Sequence, residues 1–142
     1  MMLVVDVNII MASLIRQSVT AELLVRDDLE LFSPDYALDE IIQHRDVILE
    51  KTSRSREEFT IFIDILKRRI KWIPQKNWEQ FIPVAREICP DMKDIPFFAL
   101  ALALSIPLWS NDKKLKEKQS TIEVIFTHEL VAKLAHKPMD VE

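Results

Sequence analysis

Two acidic side chains follow short apolar runs of this sequence. Asp6 comes directly after Met1–Val5, and Asp112 stands three residues past the run Pro107–Trp109. Apolar runs of this length are typical of buried parallel strands. Ligands of such sheets bind outside the carboxyl ends of the strands. We therefore expect both carboxylates to lie at the same edge of one sheet.

Two more acids are candidates for that edge. Glu40 lies in a predicted helix after the second strand, and Asp94 opens a buried helix that leads into the strand before Asp112. Converging carboxylates repel one another unless a cation or a proton lies between them. Ligand sets made only of oxygen suit Mg²⁺ or Mn²⁺. Ions bound in this way activate a water and stabilise the leaving oxygen of a phosphodiester, so the pattern predicts metal-dependent phosphodiester hydrolysis.

Each acid also has a simpler interpretation. Asp6 fits a solvated acid at a strand end, Asp94 fits a helix N-cap, and Glu40 fits an ordinary surface acid. Asp39 neighbours Glu40 but points about 100° away on a helix, so the pattern favours Glu40. Asp91 is more consistent with a loop acid or a supporting acid than with a ligand.

The chain contains no glycine in 142 residues, where average usage of roughly 7% would give about ten. P-loops and dinucleotide-binding turns are excluded, because only glycine lets their backbone approach the phosphates. Kinase-type glycine loops and GxSxG nucleophile elbows are excluded with them. Cys89 is the only cysteine, so the chain can form neither an intrachain disulfide nor a CxxC zinc site.

The remaining composition is that of an ordinary folded domain. Hydrophobic residues make up 49% of the chain and charged residues 30%, which predicts a single domain over residues 1–142. The formal charge of −4 is unlike the basic footprint of a general nucleic-acid binder. Since the sequence has no signal-peptide pattern and no membrane-length apolar run, we expect a cytoplasmic protein.

The elements that must position the acids alternate between strands and helices. Strands are predicted at Met1–Val5, Leu29–Phe32, Lys71–Ile73, Pro107–Trp109 and Glu123–Phe126. Helices are predicted at Ile9–Leu14, Val19–Arg26, Tyr36–Glu50 after an Asp35 cap, Ser53–Ile70, Trp78–Ile88 with a kink or later start at Pro83, Asp94 to Ser105, and His128–Ala135 after a Thr127 cap. This order predicts an α/β three-layer sandwich, with a mostly parallel central sheet flanked by helices.

Four short motifs carry the four acids in order: VVDVN, LDEI, KDIPFFALALAL and SND. With the predicted element under each motif, nearly the whole chain resembles the PIN domain family. This family consists of small metal-dependent ribonucleases and includes the VapC toxins of toxin–antitoxin pairs. The resemblance implies a PIN-like fold and an endoribonuclease that leaves 5′-phosphate and 3′-hydroxyl ends. It also implies a homodimer and a possible antitoxin partner, for which apolar residues of the helix Ser53–Ile70 could supply a surface if they are not all core.

The resemblance also implies roles for individual residues. The implied Mg²⁺ or Mn²⁺ ligands are Asp6, Glu40, Asp94 and Asp112, and the supporting residues are Asn8, Ser110 and Asp91. One position departs from the family, because Lys114 stands where many PIN domains carry a further acid. For this reason we expect a second metal ion either to bind more weakly or to need the substrate's phosphate.

Basic residues offer contacts for an RNA backbone. Lys113 and Lys114 border Asp112 and are the preferred candidates, with Lys116 and Lys118 just beyond. A second basic cluster, Lys67–Lys71, is equally typical of a solvated helix end.

Two other functions can be formulated. The chain could be a catalytically inactive PIN-like or receiver-like module that binds RNA or a protein partner, an interpretation that Lys114 favours. A haloacid-dehalogenase-type phosphatase also begins with a strand and an aspartate, but it needs a second acid where this chain has Asn8.

Overall fold

The computed structural model describes residues 1–15 and 19–135 of the chain. Within these residues five strands form one fully parallel sheet, in the spatial order β3-β2-β1-β4-β5. The strands are β1 (Met2–Val5), β2 (Glu30–Pro34), β3 (Ile70–Ile73), β4 (Leu108–Trp109) and β5 (Val124–Ile125). Helices flank the sheet, so the predicted α/β sandwich with a parallel central sheet is confirmed.

The helices of the described residues account for most of the chain. They are α1 (Val7–Ile15), α2 (Val19–Leu24), α3 (Asp35–Gln43), α4 (Arg45–Thr52), α5 (Arg56–Arg69), α6 (Ile82–Ile88), α7 (Ile95–Leu104), α8 (Lys113–Glu117) and α9 (Thr127–Ala135). Short 3₁₀ turns lie at Gln75–Asn77, Glu79–Phe81 and Met92–Asp94. None of these helices combines the length and the apolar character needed to span a membrane.

Three predicted helix boundaries are wrong or shifted. The helix predicted over Tyr36–Glu50 is split into α3 and α4 at His44, whose backbone leaves helical geometry (φ −93°, ψ 17°). Asp35 is not the cap of α3 but its first residue. Helix α5 starts three residues later than predicted, because Ser55 and Glu58 form a reciprocal capping box that defines a helix start.

Two more differences concern prolines and lysines. Helix α6 begins only at Ile82, with Pro83 in its first turn. Of the two predicted effects of Pro83, a kink or a later helix start, the structure therefore shows the later start. Helix α8 was not predicted, because its five residues, KKLKE, carry almost no apolar periodicity.

The core lies on both faces of the sheet and explains why β1 is apolar throughout. Leu3 and Val5 belong to one core cluster, whereas Val4 between them belongs to the other. Side chains alternate between the two faces of a strand, and both faces of this one are covered. The strand therefore shows a continuous apolar run, as parallel strands do.

Helix α7 is buried nearly all round and packs against β1, β2 and β4. Its alternating sequence FFALALAL would also fit a strand. Pro96 in the first turn and the strong helix propensity of Leu and Ala favour the helix. Ala99 and Ala101 are buried, and their small side chains let the helix lie close to the sheet.

Two helices end at a serine in a backbone conformation that glycine usually adopts. Helices α4 and α7 both end at a serine in the left-handed region, Ser53 with φ 55° and Ser105 with φ 56°. This backbone conformation costs a residue with a Cβ atom about 1–2 kcal/mol, and glycine adopts it freely. The two serines are therefore sites where the fold stores strain.

Replacing Ser105 by glycine should stabilise the protein. We expect Ser105→Gly to raise the free energy of unfolding by about 0.5–1 kcal/mol, since glycine relieves the left-handed strain. Urea denaturation measures the change. The control is Ser55→Gly, the same substitution at an extended N-cap (φ −78°), which should lower stability by a few tenths of a kcal/mol or more. A Ser105→Gly protein less stable than wild type would contradict the strain argument.

Candidate functional site

Parallel pairing of the two central strands brings the first and last acids to one edge. Val5 of β1 lies opposite Trp109 of β4, and the Asp6 N–H donates to the Trp109 carbonyl at 3.0 Å. The next residue of β4's chain, Ser110, is fully buried and donates its hydroxyl to Asp6 Oδ2 at 2.7 Å. Asp6 is thus tied to the turn that carries Asp112.

That turn, Ser110-Asn111-Asp112, is held by its own side chains. Besides its bond to Asp6, the Ser110 hydroxyl accepts the Asp112 N–H at 3.1 Å. Asn111 Oδ1 accepts the N–H of Thr127 at 2.8 Å, and Asp112 Oδ1 accepts that of Lys114 at 2.9 Å, capping α8. Asp112 therefore serves as a helix cap whether or not it has another role.

Asp6 is a carboxylate in an almost closed environment, with 2% of its surface exposed. Burial raises its pKa above the usual value, while the hydrogen bonds from Ser110 and from the Asn8 N–H oppose that shift. The nearby charge of Asp112 raises the pKa further. Asn8 contributes its backbone N–H to Asp6, and its own side chain is exposed at the cleft described below.

Asp94 does not cap α7 through its side chain. It occupies the N-cap position, but the 3₁₀ turn Met92–Asp94 runs straight into the helix and its carboxylate makes no capping hydrogen bond. Asp91 caps that turn instead, accepting the Lys93 N–H at 3.0 Å. Asp94 is thus the N-cap residue of α7 by position, as the sequence predicted, but its carboxylate is not used to start the helix.

Among the acids at this edge, Asp94 is the one whose pKa is raised most. Only 9% of the residue is exposed, and burial, followed by the charges of Asp6, Asp91 and Asp112, raises its pKa to about 7. The positive charge of Lys114 opposes this shift. These mutual effects place Asp6, Asp94 and Asp112 within electrostatic reach of one another.

Glu40 faces the same group of acids across a cleft of about 580 Å³. It is exposed on α3, one helical turn after Tyr36. Residues of the cleft wall include Asn8, Tyr36, Glu40, Asp91, Lys93, Asp94 and Asp112. Asp39, by contrast, is exposed and is not part of this wall.

Tyr36 is a cleft residue that the sequence analysis missed. Burial raises its pKa to about 12, and the charges of Glu40 and Asp94 add to that shift. The phenol therefore stays protonated and can donate a hydrogen bond. Its spacing of four residues from Glu40 was a usable signal, because residues i and i+4 share one face of a helix.

The carboxylate oxygens are suitable ligands for a divalent cation, but the side chains do not have the geometry of a formed metal site. In residues 1–15 and 19–135, no three acidic, histidine or cysteine side chains stand so that they could hold a metal ion. Their oxygen atoms are nevertheless the donors that Mg²⁺ and Mn²⁺ prefer. The repulsion that raises the Asp94 pKa is the kind that a cation relieves. The donor set fits such an ion, while side-chain adjustment is still needed to bind it.

Some basic residues near the acids are exposed to solvent, whereas others form ion pairs or hydrogen bonds. Lys113 and Lys114 are exposed at the start of α8 beside the acids. Lys116 instead pairs with Glu129 and donates to the Val124 carbonyl at 3.1 Å. Cluster Lys67–Lys71 surrounds the start of β3, which is the amino end of the parallel sheet and opposite to the acids.

Not all apolar side chains of α5 are available to a protein partner, because some of them belong to the core. Leu66 is fully buried in the core, whereas Ile61 is 59% exposed. Ile61, Phe62 and Ile65 line a groove of about 240 Å³ between α1 and α5.

Comparison with known protein families gives one match. A family model described as PIN domain matches residues 4–128, a span that contains all four acids and all of the sheet except the first two residues of β1. A search of curated proteins finds none that matches the sequence.

The raised pKa of Asp94 makes stability depend on pH. Its carboxyl releases a proton near pH 3.8 when unfolded but only near 7 when folded. The metal-free protein should therefore lose stability as pH rises from about 4 to 7, because the folded state holds the proton more tightly. Asp94→Asn should flatten this decline and be more stable at pH 8 by on the order of 2 kcal/mol. Chemical denaturation in EDTA across this pH range measures both, and parallel curves for the two proteins would contradict the assignment.

Ser110 should matter more to stability than another equally buried serine. Ser33 is also fully buried, but its hydroxyl only donates to the Val5 carbonyl at 3.4 Å. We expect Ser110→Ala to lower the free energy of unfolding by about 1.5–3 kcal/mol, because it removes a charge-assisted bond, and Ser33→Ala by less than about 1 kcal/mol. Urea denaturation at pH 7.5 compares them; equal losses would show that Ser110 does not hold Asp6.

Proposed function

The chain belongs to the PIN domain family, and we propose on this premise that it is a metal-dependent endoribonuclease that hydrolyses RNA phosphodiester bonds. Proteins of this family are generally metal-dependent nucleases. The observation that carries the proposal is the meeting of Asp6, Asp94 and Asp112 at one sheet edge, where burial and, after it, the neighbouring carboxylates raise the pKa of Asp94 to about 7. Repulsion among these carboxylates does not stabilise the fold, which supports a role for the cluster in binding a cation.

Four residues would hold Mg²⁺ or Mn²⁺ in this proposal: Asp6, Glu40, Asp94 and Asp112. When bound, such an ion supplies an activated water and neutralises charge on the phosphate. Ser110 and the Asn8 N–H keep the Asp6 carboxylate in a fixed orientation. Asp91 supports Asp94 by holding the turn in front of α7.

Lys113 and Lys114 are proposed to bind the RNA backbone on either side of the cut. Both are exposed next to Asp112, and phosphate contacts of this kind supply much of the affinity for nucleic acid. The net charge of −4 equals the charge of the four proposed ligands, so the rest of the chain is neutral. An acidic chain is therefore compatible with an RNA substrate once a cation is bound.

The biological setting we propose is the toxin half of a toxin–antitoxin pair, acting in the cytoplasm as a homodimer. The exposed Ile61 in the groove between α1 and α5 supports a protein partner on that side. A short adjacent gene that encodes a DNA-binding protein would support the pairing.

One observation favours a second candidate, an inactive PIN-like module that binds RNA or a protein. Within the described parts of the chain no three-ligand group is ready to hold a metal, and Lys114 adds a positive charge beside Asp94. Such a module would bind single-stranded RNA without cutting it in the presence of Mn²⁺.

Cleavage assays on carboxylate variants test the nuclease proposal. With Mn²⁺ and a labelled RNA, Asp6→Asn and Asp94→Asn should each lower the cleavage rate by at least about a hundredfold, because each removes a charged ligand. Glu40→Gln should also cut more slowly. The matched control is Asp39→Asn, an exposed neighbour outside the cleft, which should cut like wild type.

The products should carry 5′-phosphate and 3′-hydroxyl ends. Circular dichroism shows whether each variant is folded. Metal-dependent cleavage that persists in folded Asp6→Asn and Asp94→Asn proteins would overturn the assignment of these residues. A wild-type protein that binds RNA but cuts none would favour the inactive module.

A further inference from the structure

A second cavity, of about 590 Å³, lies on the other flank of the turn that carries Asp112. We call it the ring pocket, and its polar and aromatic wall consists of Asn111, Lys113, Phe126, Thr127 and His128, with Val19 and Val131 as apolar lining. Asp112 lines the acidic cleft and Lys113 lines the ring pocket. Consecutive residues, with Cα atoms about 3.8 Å apart, therefore line the two cavities.

Two aromatic rings of the pocket lie next to each other, and one of them is exposed. Phe126 and His128 have centroids 5.8 Å apart and planes inclined by 55°. The Lys116 ammonium lies 4.3 Å from the centre of the Phe126 ring and is itself anchored by Glu129. Phe126 is therefore held in place, whereas His128 is exposed and can meet a ligand without rearrangement of the core.

The charge of the pocket is positive, in contrast to the cleft beside it. Lys113 is exposed, and its ammonium forms no ion pair or hydrogen bond within the described parts of the chain. Lys116, three residues on, is fully engaged. A free ammonium next to two rings and an apolar floor is the combination that binds the phosphate and base of an unpaired nucleotide.

We propose that the ring pocket holds an unpaired nucleobase of the RNA, one that neighbours the phosphate at the acid cluster. This inference rests on the nuclease function proposed above and adds to it a binding pocket for one base of the RNA beside the acid cluster. A base can stack on His128 and Phe126 only when it has left a duplex. The Lys113 ammonium binds the adjoining backbone phosphate and so sets the strand's register relative to Asp112.

Steady-state cleavage of a fluorescent single-stranded RNA tests the pocket. His128→Asn should raise KM about tenfold, as expected for the loss of one stacking contact, and leave kcat within about twofold. Lys113→Gln should raise KM several-fold. The matched controls are His44→Asn and Lys51→Gln, exposed residues of the same types outside the pocket, which should behave as wild type. Unchanged KM values for both pocket variants, with cleavage intact, would overturn the ring pocket but not the nuclease.

Photo-crosslinking gives a second readout that does not depend on cleavage. Wild-type protein in EDTA is irradiated with a single-stranded RNA containing 4-thiouridine, and the crosslinked peptides are identified by mass spectrometry. We expect crosslinks at Phe126 or His128. Crosslinks found only elsewhere would overturn the pocket. Crosslinks at these residues in a protein that cuts no RNA would leave the pocket standing and refute the nuclease.

Discussion

Repulsion between carboxylates at the carboxyl edge of the sheet is the interaction on which the rest of this structure depends. Asp6 and Asp94 are buried. Burial of Asp94, followed by the charges of Asp6, Asp91 and Asp112, raises its pKa to about 7. Groups with perturbed pKa values in a cleft are typical of functional sites. The surrounding fold must be rigid enough to keep these charges near one another, and much of its detail serves that end.

The rigidity comes from side chains in the turns, since the chain has no glycine. Ser110 bonds both Asp6 and the backbone of Asp112, while Asn111 holds the start of α9. Asp91 holds the turn before Asp94. Residues that shape the turns and residues that would bind a cation are thus the same or adjacent, so substitutions at this edge should alter stability and binding together.

The sequence predicted the strands well because their signal is local. The continuous apolar run of β1 requires burial on both faces, and parallel pairing then places Asp6 beside Ser110. Helix starts were harder to predict. Asp35 and Asp94 looked like caps, but Asp35 is helical and a 3₁₀ turn leads into Asp94, outcomes that depend on how each turn enters its helix and not on residue type.

Two features of the site could not be predicted from sequence patterns. Tyr36 enters the cleft only because α3 is oriented by its packing on the sheet, although its spacing from Glu40 was visible. The lysines of α8 look alike in sequence. Within the described parts of the chain, however, Lys113 forms no ion pair, whereas Lys116 pairs with Glu129. Such differences arise from contacts between distant segments, which no local pattern records.

Calorimetric titration of the metal-free protein with Mn²⁺ near pH 6.5, in buffers of different ionisation enthalpy, tests the central claim most directly. If the acid cluster binds a cation, Mn²⁺ should bind at millimolar concentrations or below and displace the proton that Asp94 holds at this pH. The measured enthalpy should then vary with the buffer in wild type and much less in Asp94→Asn. Absence of binding at millimolar Mn²⁺, or binding without proton release, would contradict the account.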